Sequence, residues 1–108
     1  MCYYVDQKGS RRDVKIRFNI AINDTGKLYN GVFVKGFDYP NLPIISNDNP
    51  KELTTNLNWG LMPSWAGIGL LEFRKGKLNA RIEELNEKPS YRNIIENRCL
   101  IIISGYYE

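Results

Sequence analysis

The sequence predicts an α+β fold with several short, mainly antiparallel strands and one or two short helices. Three observations carry that expectation. Nine Gly and five Pro cut the 108 residues into pieces of strand or short-helix length. Within those pieces apolar and polar residues alternate, or β-branched and aromatic residues cluster, as half-buried strands require. Two pieces also carry helix-start signals, a capping box at Ser10 and a proline at position 89.

The first ambiguous element follows Gly9. Ser10-Arg11-Arg12-Asp13 has the S-x-x-D form of a capping box, and Val14 and Phe18 lie four residues apart, which argues for a helix. The same stretch alternates, with Val14, Ile16, Phe18, Ile20 and Ile22 between Lys15, Arg17, Asn19 and Ala21, and periodicity alone favours a strand. Asn23-Asp24-Thr25-Gly26 reads as a turn, and Tyr29 to Phe37 as a strand interrupted by Gly31 and Gly36. Pro40, Pro43 and Pro50 bracket a short strand from Leu42 to Ser46, and Leu53 to Met62 is a further strand ended by Pro63. Leu70 to Lys77 is open between strand and helix. Pro89 with Tyr91, Ile94 and Ile95 predicts a helix to about Asn97, and the apolar run Cys99 to Ser104 predicts a buried strand.

Composition narrows the chemistry. There is no histidine, so imidazole bases, Ser-His-Asp or Cys-His arrangements and His-ligated zinc are excluded from what these residues do by themselves. Fifteen basic against twelve acidic side chains give a net charge of +3, which permits a polyanionic partner without demanding one. The longest apolar run, Leu100-Ile101-Ile102-Ile103, is far below the roughly 18 to 20 residues of a membrane span. The start, Met1-Cys2-Tyr3-Tyr4, lacks a secretory signal pattern, so a cytoplasmic protein with reduced Cys2 and Cys99 is expected, with no metal and no cofactor.

Four places offer chemistry. Removal of Met1 would leave Cys2 as a 1,2-aminothiol, whose amine and thiol both reach their nucleophilic forms close to neutral pH and which closes a thiazolidine on an aldehyde; the plain alternative is a small residue tucked against the first strand. Trp59 to Trp65 places two indoles around Gly60 and Pro63, a rigid turn able to present Trp65 to an unpaired base, unless both rings are core. Asn79 and Arg81 set an amide beside a guanidinium suited to phosphate, or are a turn Asn and a solvated Arg. Glu108, after Tyr106-Tyr107, is placed for acid/base work if partly buried, or is a frayed terminus.

In order along the chain, Met1-Cys2, Trp59-Gly60-Leu61-Met62-Pro63-Ser64-Trp65, Leu78-Asn79-Ala80-Arg81 with Glu83, Glu87-Lys88-Pro89-Ser90-Tyr91-Arg92, and Arg98-Cys99-Leu100-Ile101 running to Gly105-Tyr106-Tyr107-Glu108 resemble the SOS-response-associated peptidase (SRAP) family of abasic-site processing proteins. The resemblance spans residues 1–108 and the N-terminal portion, roughly half, of a single SRAP domain. It implies a barrel-like sheet that cradles single-stranded DNA, with the C-terminal part of the fold missing, and a helix around Ser10 to Phe18.

The implied activity is a thiazolidine crosslink between Cys2 and the ring-opened abasic sugar. Asn79 would hold the Cys end and the sugar, while Glu108 would shuttle protons during Met1 removal, Schiff-base formation and reversal. Arg81 would contact phosphates, and the Pro63-Ser64-Trp65 turn would face the DNA. Three departures stand out. Tyr3-Tyr4 replaces the family's commoner Gly-Arg, the usual Y-N-x-x-P stretch is not evident around Tyr29 to Pro40, and the family's downstream catalytic His has no counterpart here. A non-catalytic single-stranded nucleic-acid binder, or an inactive fragment, is the alternative.

Overall fold

The computed structural model describes residues 1–22 and 32–108. Six strands make two antiparallel sheets. The first has the order β2-β1-β6, from Val32–Lys35, Tyr4–Gln7 and Gly105–Tyr107, and the second the order β4-β3-β5, from Thr54–Asn58, Asn41–Ser46 and Cys99–Ile101. The helix α1 spans Arg11–Phe18, and 3-10 turns run through Gly36–Asp38, Ile68–Lys77 and Ile82–Glu84.

The sheets meet face to face because strand alternation turns Val5 of β1, Val34 of β2 and Leu42 and Ile44 of β3 toward one another, forming a core onto which Cys2 and Trp59 pack. The other side of β3 carries Ile45 into a second core with Ile20 and Leu53, sealed by Val14 of α1, Ile22 and Ile102. With cover on both faces, β3 is buried at four consecutive residues, Leu42 to Ile45. Each such aliphatic side chain contributes about 1.5–3 kcal/mol on burial. Pro43 has no N–H for the ladder, and the register with β4 shifts there, between Leu42 and Ile44. Its carbonyl accepts from Ile102 N–H at 3.0 Å as the chain leaves β5. Two residues later Ser104 N–H donates to the Asp6 carbonyl at 2.8 Å, so the short link 102–104 carries the chain from one sheet to the other.

Residues 10–18 resolve to helix. The Ser10 hydroxyl accepts from Asp13 N–H at 3.1 Å, Asp13 accepts in return from Ser10 N–H, and Asn19 closes the helix in the left-handed conformation. Both caps win over the alternation, which counted exposed Ile16 as an inward residue. The first strand, against which Cys2 could tuck, is β1. The turn expected at Asn23–Gly26 and the first part of the Tyr29–Phe37 strand lie outside the described residues. The expected Leu53–Met62 strand shortens to β4, and Leu70–Lys77 becomes part of the 3-10 run.

Three expectations are corrected. The described strands form two separate sheets and are not closed into a barrel, because the ladders join β2, β1 and β6 in one set and β4, β3 and β5 in another. No continuous helix runs from Pro89 to Asn97. The segment is a series of turns whose bonds mostly span three residues, such as Ile94 N–H to Tyr91 C=O and Asn97 N–H to Ile94 C=O. Asn93 and Asn97 are weak helix formers, and Tyr91 is committed to a tertiary contact described below. The run Cys99–Ser104 is not a buried strand either. Leu100 and Ile101 are 58% and 48% exposed, and among the described residues β5 lies at the edge of its sheet, paired with β3.

Candidate active site

Cys2 and Asn79, far apart in sequence, are brought together by a stack of close approaches. Gly36 N–H donates to the Tyr3 carbonyl at 2.8 Å, fixing the chain just after Cys2. A Cβ on Gly36 would meet that carbonyl at 3.2 Å and the Trp59 ring at 3.3 Å, so glycine sets the spacing between strand and indole. Trp59, half-buried, donates from its ring N–H to the Leu78 carbonyl at 2.8 Å and thereby places the next residue, Asn79. Gly60, at φ +102°, makes the turn after Trp59. Arg74 clamps the same turn, donating to the Trp59 and Gly60 carbonyls at 3.1 and 3.2 Å with its guanidinium 4.3 Å above the Tyr39 ring.

Held in this way, Asn79 accepts through Oδ1 from Cys2 N–H at 3.1 Å. Its Nδ2 is buried and, among the described residues, has no hydrogen-bond partner. The Cys2 thiol donates to the Tyr4 carbonyl at 3.1 Å. From the far end of the sequence, β6 pairs with β1 in the register Tyr4 opposite Tyr107. That register delivers Glu108 to the N-terminus, with Oε1 3.8 Å from the Met1 ammonium and both groups largely exposed. Backbone nitrogen, thiol, amide and carboxylate thus converge on one end of the first sheet. Of the two readings open for Glu108, the structure shows an exposed carboxylate and not a partly buried one.

A cavity of about 300 Å³ opens beside Met1 and Asn79, with Tyr3, Lys77, Arg81 and Tyr91 in its walls. The Tyr91 hydroxyl donates to the Asn79 carbonyl at 3.4 Å, and burial pushes its pKa up from the usual phenol value, against the opposing Lys88 charge. Glu84 hydrogen-bonds Lys88, which holds its carboxyl below the ordinary range. Lys75 is 2.5 Å from Glu72, while the Lys77 ammonium stands over the Phe73 and Tyr91 rings at 4.7 and 5.5 Å.

The expected DNA-contact residues divide. Arg81 is exposed in the cavity wall. Trp65 is a surface ring, 58% exposed, and packs edge-on against Phe73 at 5.4 Å; Trp59 is the structural indole. Pro63 is buried and Ser64 exposed, and neither they nor Trp65 line the cavity. Phe73 bridges the two regions, touching Trp65 on one side and Lys77 on the other. Sequence reasoning passed over Tyr3, Lys77 and Tyr91. Lys77 had a legible signal, since it immediately precedes the Leu78-Asn79-Ala80-Arg81 motif. Among the described residues no cluster of three or more His, Cys, Asp or Glu side chains is arranged to hold a metal, and no helix is long and apolar enough to cross a membrane.

Comparison with known proteins fits this arrangement. Two Bacillus subtilis (strain 168) proteins, the abasic site processing proteins YoqW and YoaM, are 38% and 35% identical over 69 residues, which is 63% of this chain and 30% of each relative. A crystal structure of a protein from Bacteroides thetaiotaomicron superposes with a TM-score of 0.84 at 29% identity, covering 99% of this chain and 48% of the other. The chain therefore spans about a third of those curated relatives and about half of that solved structure. The model of the SOS response associated peptidase (SRAP) family matches residues 1–108, and the chain belongs to that family.

Proposed function

We propose that this protein processes abasic sites in single-stranded DNA by forming a thiazolidine crosslink through Cys2 once Met1 is removed. The observation that carries the reading is the meeting of Cys2 N–H with Asn79 Oδ1 at 3.1 Å and of the N-terminal ammonium with Glu108 at 3.8 Å. Family membership, and the name that YoqW and YoaM share, point to the same lesion.

The chemistry follows from the groups present. Water adds to the Met1 carbonyl, Glu108 takes its proton and returns it to the departing Cys2 nitrogen, and Met leaves as the free amino acid. The new α-amine attacks the aldehyde of the ring-opened sugar, and loss of water gives a Schiff base. The Cys2 sulfur then adds to the imine carbon, its proton passing to nitrogen, and the five-membered ring closes. Asn79 Oδ1 orients the nitrogen throughout, and its unpartnered Nδ2 is available to a sugar hydroxyl. Arg81 and the Trp65 turn are read as DNA contacts flanking this centre.

The test mixes the full-length protein with single-stranded DNA carrying one abasic site. A heat-stable crosslink is expected, together with an intact mass lacking Met1. Absence of the crosslink, or its persistence in Cys2→Ala, overturns the proposal.

A further inference from the structure

Tyr3 and Lys77 stand beside Cys2 and Asn79 but take no part in the chemistry above. The Tyr3 ring lies nearly parallel to that of Phe37, at 17° and 5.1 Å between centroids, so its plane is fixed before any ligand arrives. Tyr3 also lines the cavity of about 300 Å³, the small end of the range for ligand sites. In another wall of the same cavity Lys77 is held over Phe73 and Tyr91. The other charges there are largely answered, with Lys75 on Glu72 and Lys88 on Glu84. Among the described residues Lys77 and Arg81 form no ion pair with a carboxylate, which leaves two cations in the lining of the cavity that Tyr3 also lines.

Resting on the reading of this site as one for abasic single-stranded DNA, we propose that Tyr3 and Lys77 form a nucleotide subsite for the intact neighbour of the lesion. Tyr3 stacks on its base and Lys77 pairs with its phosphate. An abasic residue leaves the adjoining base without a stacking partner on one side, and a preoriented ring next to Cys2 replaces that partner. Tyr3 thereby sets a preference for the base beside the lesion. Purines, with the larger π-face, are favoured over pyrimidines.

Binding is measured by fluorescence anisotropy on single strands that carry a tetrahydrofuran abasic analogue, which has no aldehyde, flanked by purines or by pyrimidines. The purine-flanked strand is expected to bind more tightly. Tyr3→Ala weakens that binding about fivefold or more and removes the flanking preference, while Tyr3→Phe retains both. Lys77→Gln, on the cavity wall and outside both cores, lowers the slope of log affinity against log salt by about 0.7, the value for one phosphate contact on a single strand. Equal binding of the two wild-type strands, a flanking preference that survives Tyr3→Ala, or an unchanged salt slope in Lys77→Gln overturns the subsite. A parallel incubation with the aldehyde-bearing strand separates the two ideas. No crosslink there, with the preference intact on the analogue, refutes the thiazolidine reading and upholds the subsite.

Discussion

Truncating Asn79 to alanine should nearly spare stability while impairing the reaction, and the structure supplies the sum. The side chain makes one bond that helps the fold, Oδ1 accepting from Cys2 N–H at 3.1 Å. Such a bond contributes about 0.5–1.5 kcal/mol net. It also buries one unpartnered donor, Nδ2, and an unmet buried polar group costs about 1–3 kcal/mol. Asn79→Ala relieves that unmet donor but leaves the Cys2 N–H without its acceptor, at the same cost of about 1–3 kcal/mol, so the balance centres near zero, within about 2 kcal/mol either way. Under the proposed reaction, function falls, because the amide would orient the nitrogen that attacks the aldehyde. A misplaced reacting group costs on the order of a hundredfold in rate. Urea unfolding gives the first quantity and single-turnover crosslinking to an abasic strand gives the second. A loss above about 2 kcal/mol with an unchanged crosslinking rate would show that Asn79 is a structural residue and refute the assignment.

Trp59→Phe keeps the apolar ring against the first core but deletes the 2.8 Å bond to the Leu78 carbonyl. It should cost about 1–3 kcal/mol in urea unfolding, since the carbonyl loses its donor, and should slow crosslinking by displacing Asn79. Glu84 has its carboxyl lowered from the ordinary 4.5 by the hydrogen bond and charge of Lys88. A depressed carboxyl contributes stability that is present above its unfolded-state pKa and lost as pH falls through the folded value. Stability of the wild type should therefore decline more than that of Glu84→Gln as pH drops below 4.5, and the two should run parallel well above that value. Parallel curves at low pH would show that the pair contributes nothing to folding.

Local signals were legible where chemistry is local. The Ser10–Asp13 box needs only four residues and the bonds among them, and it overrode an alternation whose Ile16 and Phe18 stay exposed. Leu42–Ser46 was legible because a short apolar segment between prolines has few alternatives. Segment 89–97 departs from a helix because Asn93 and Asn97 favour one weakly and Tyr91 bonds the Asn79 carbonyl. For the Cys99–Ser104 run, periodicity registers what a stretch would bury but not whether a partner lies across from it, and among the described residues β5 has one at β3.

By itself the sequence determined the α+β character, the lack of an imidazole among these 108 residues, and the motif residues Cys2, Asn79, Arg81 and Glu108 that carry the resemblance to the family. Tertiary structure decided how they meet. The register of β6 on β1 carries Glu108 to the N-terminus, and the Trp59 bond to Leu78 sets Asn79 against Cys2. Structure also separated the two tryptophans, Trp59 as a strut and Trp65 as a surface ring, and gathered Tyr3, Lys77 and Tyr91 around one cavity. These are long-range pairings, set by which faces of two sheets bury each other, and no window of neighbouring residues encodes that choice.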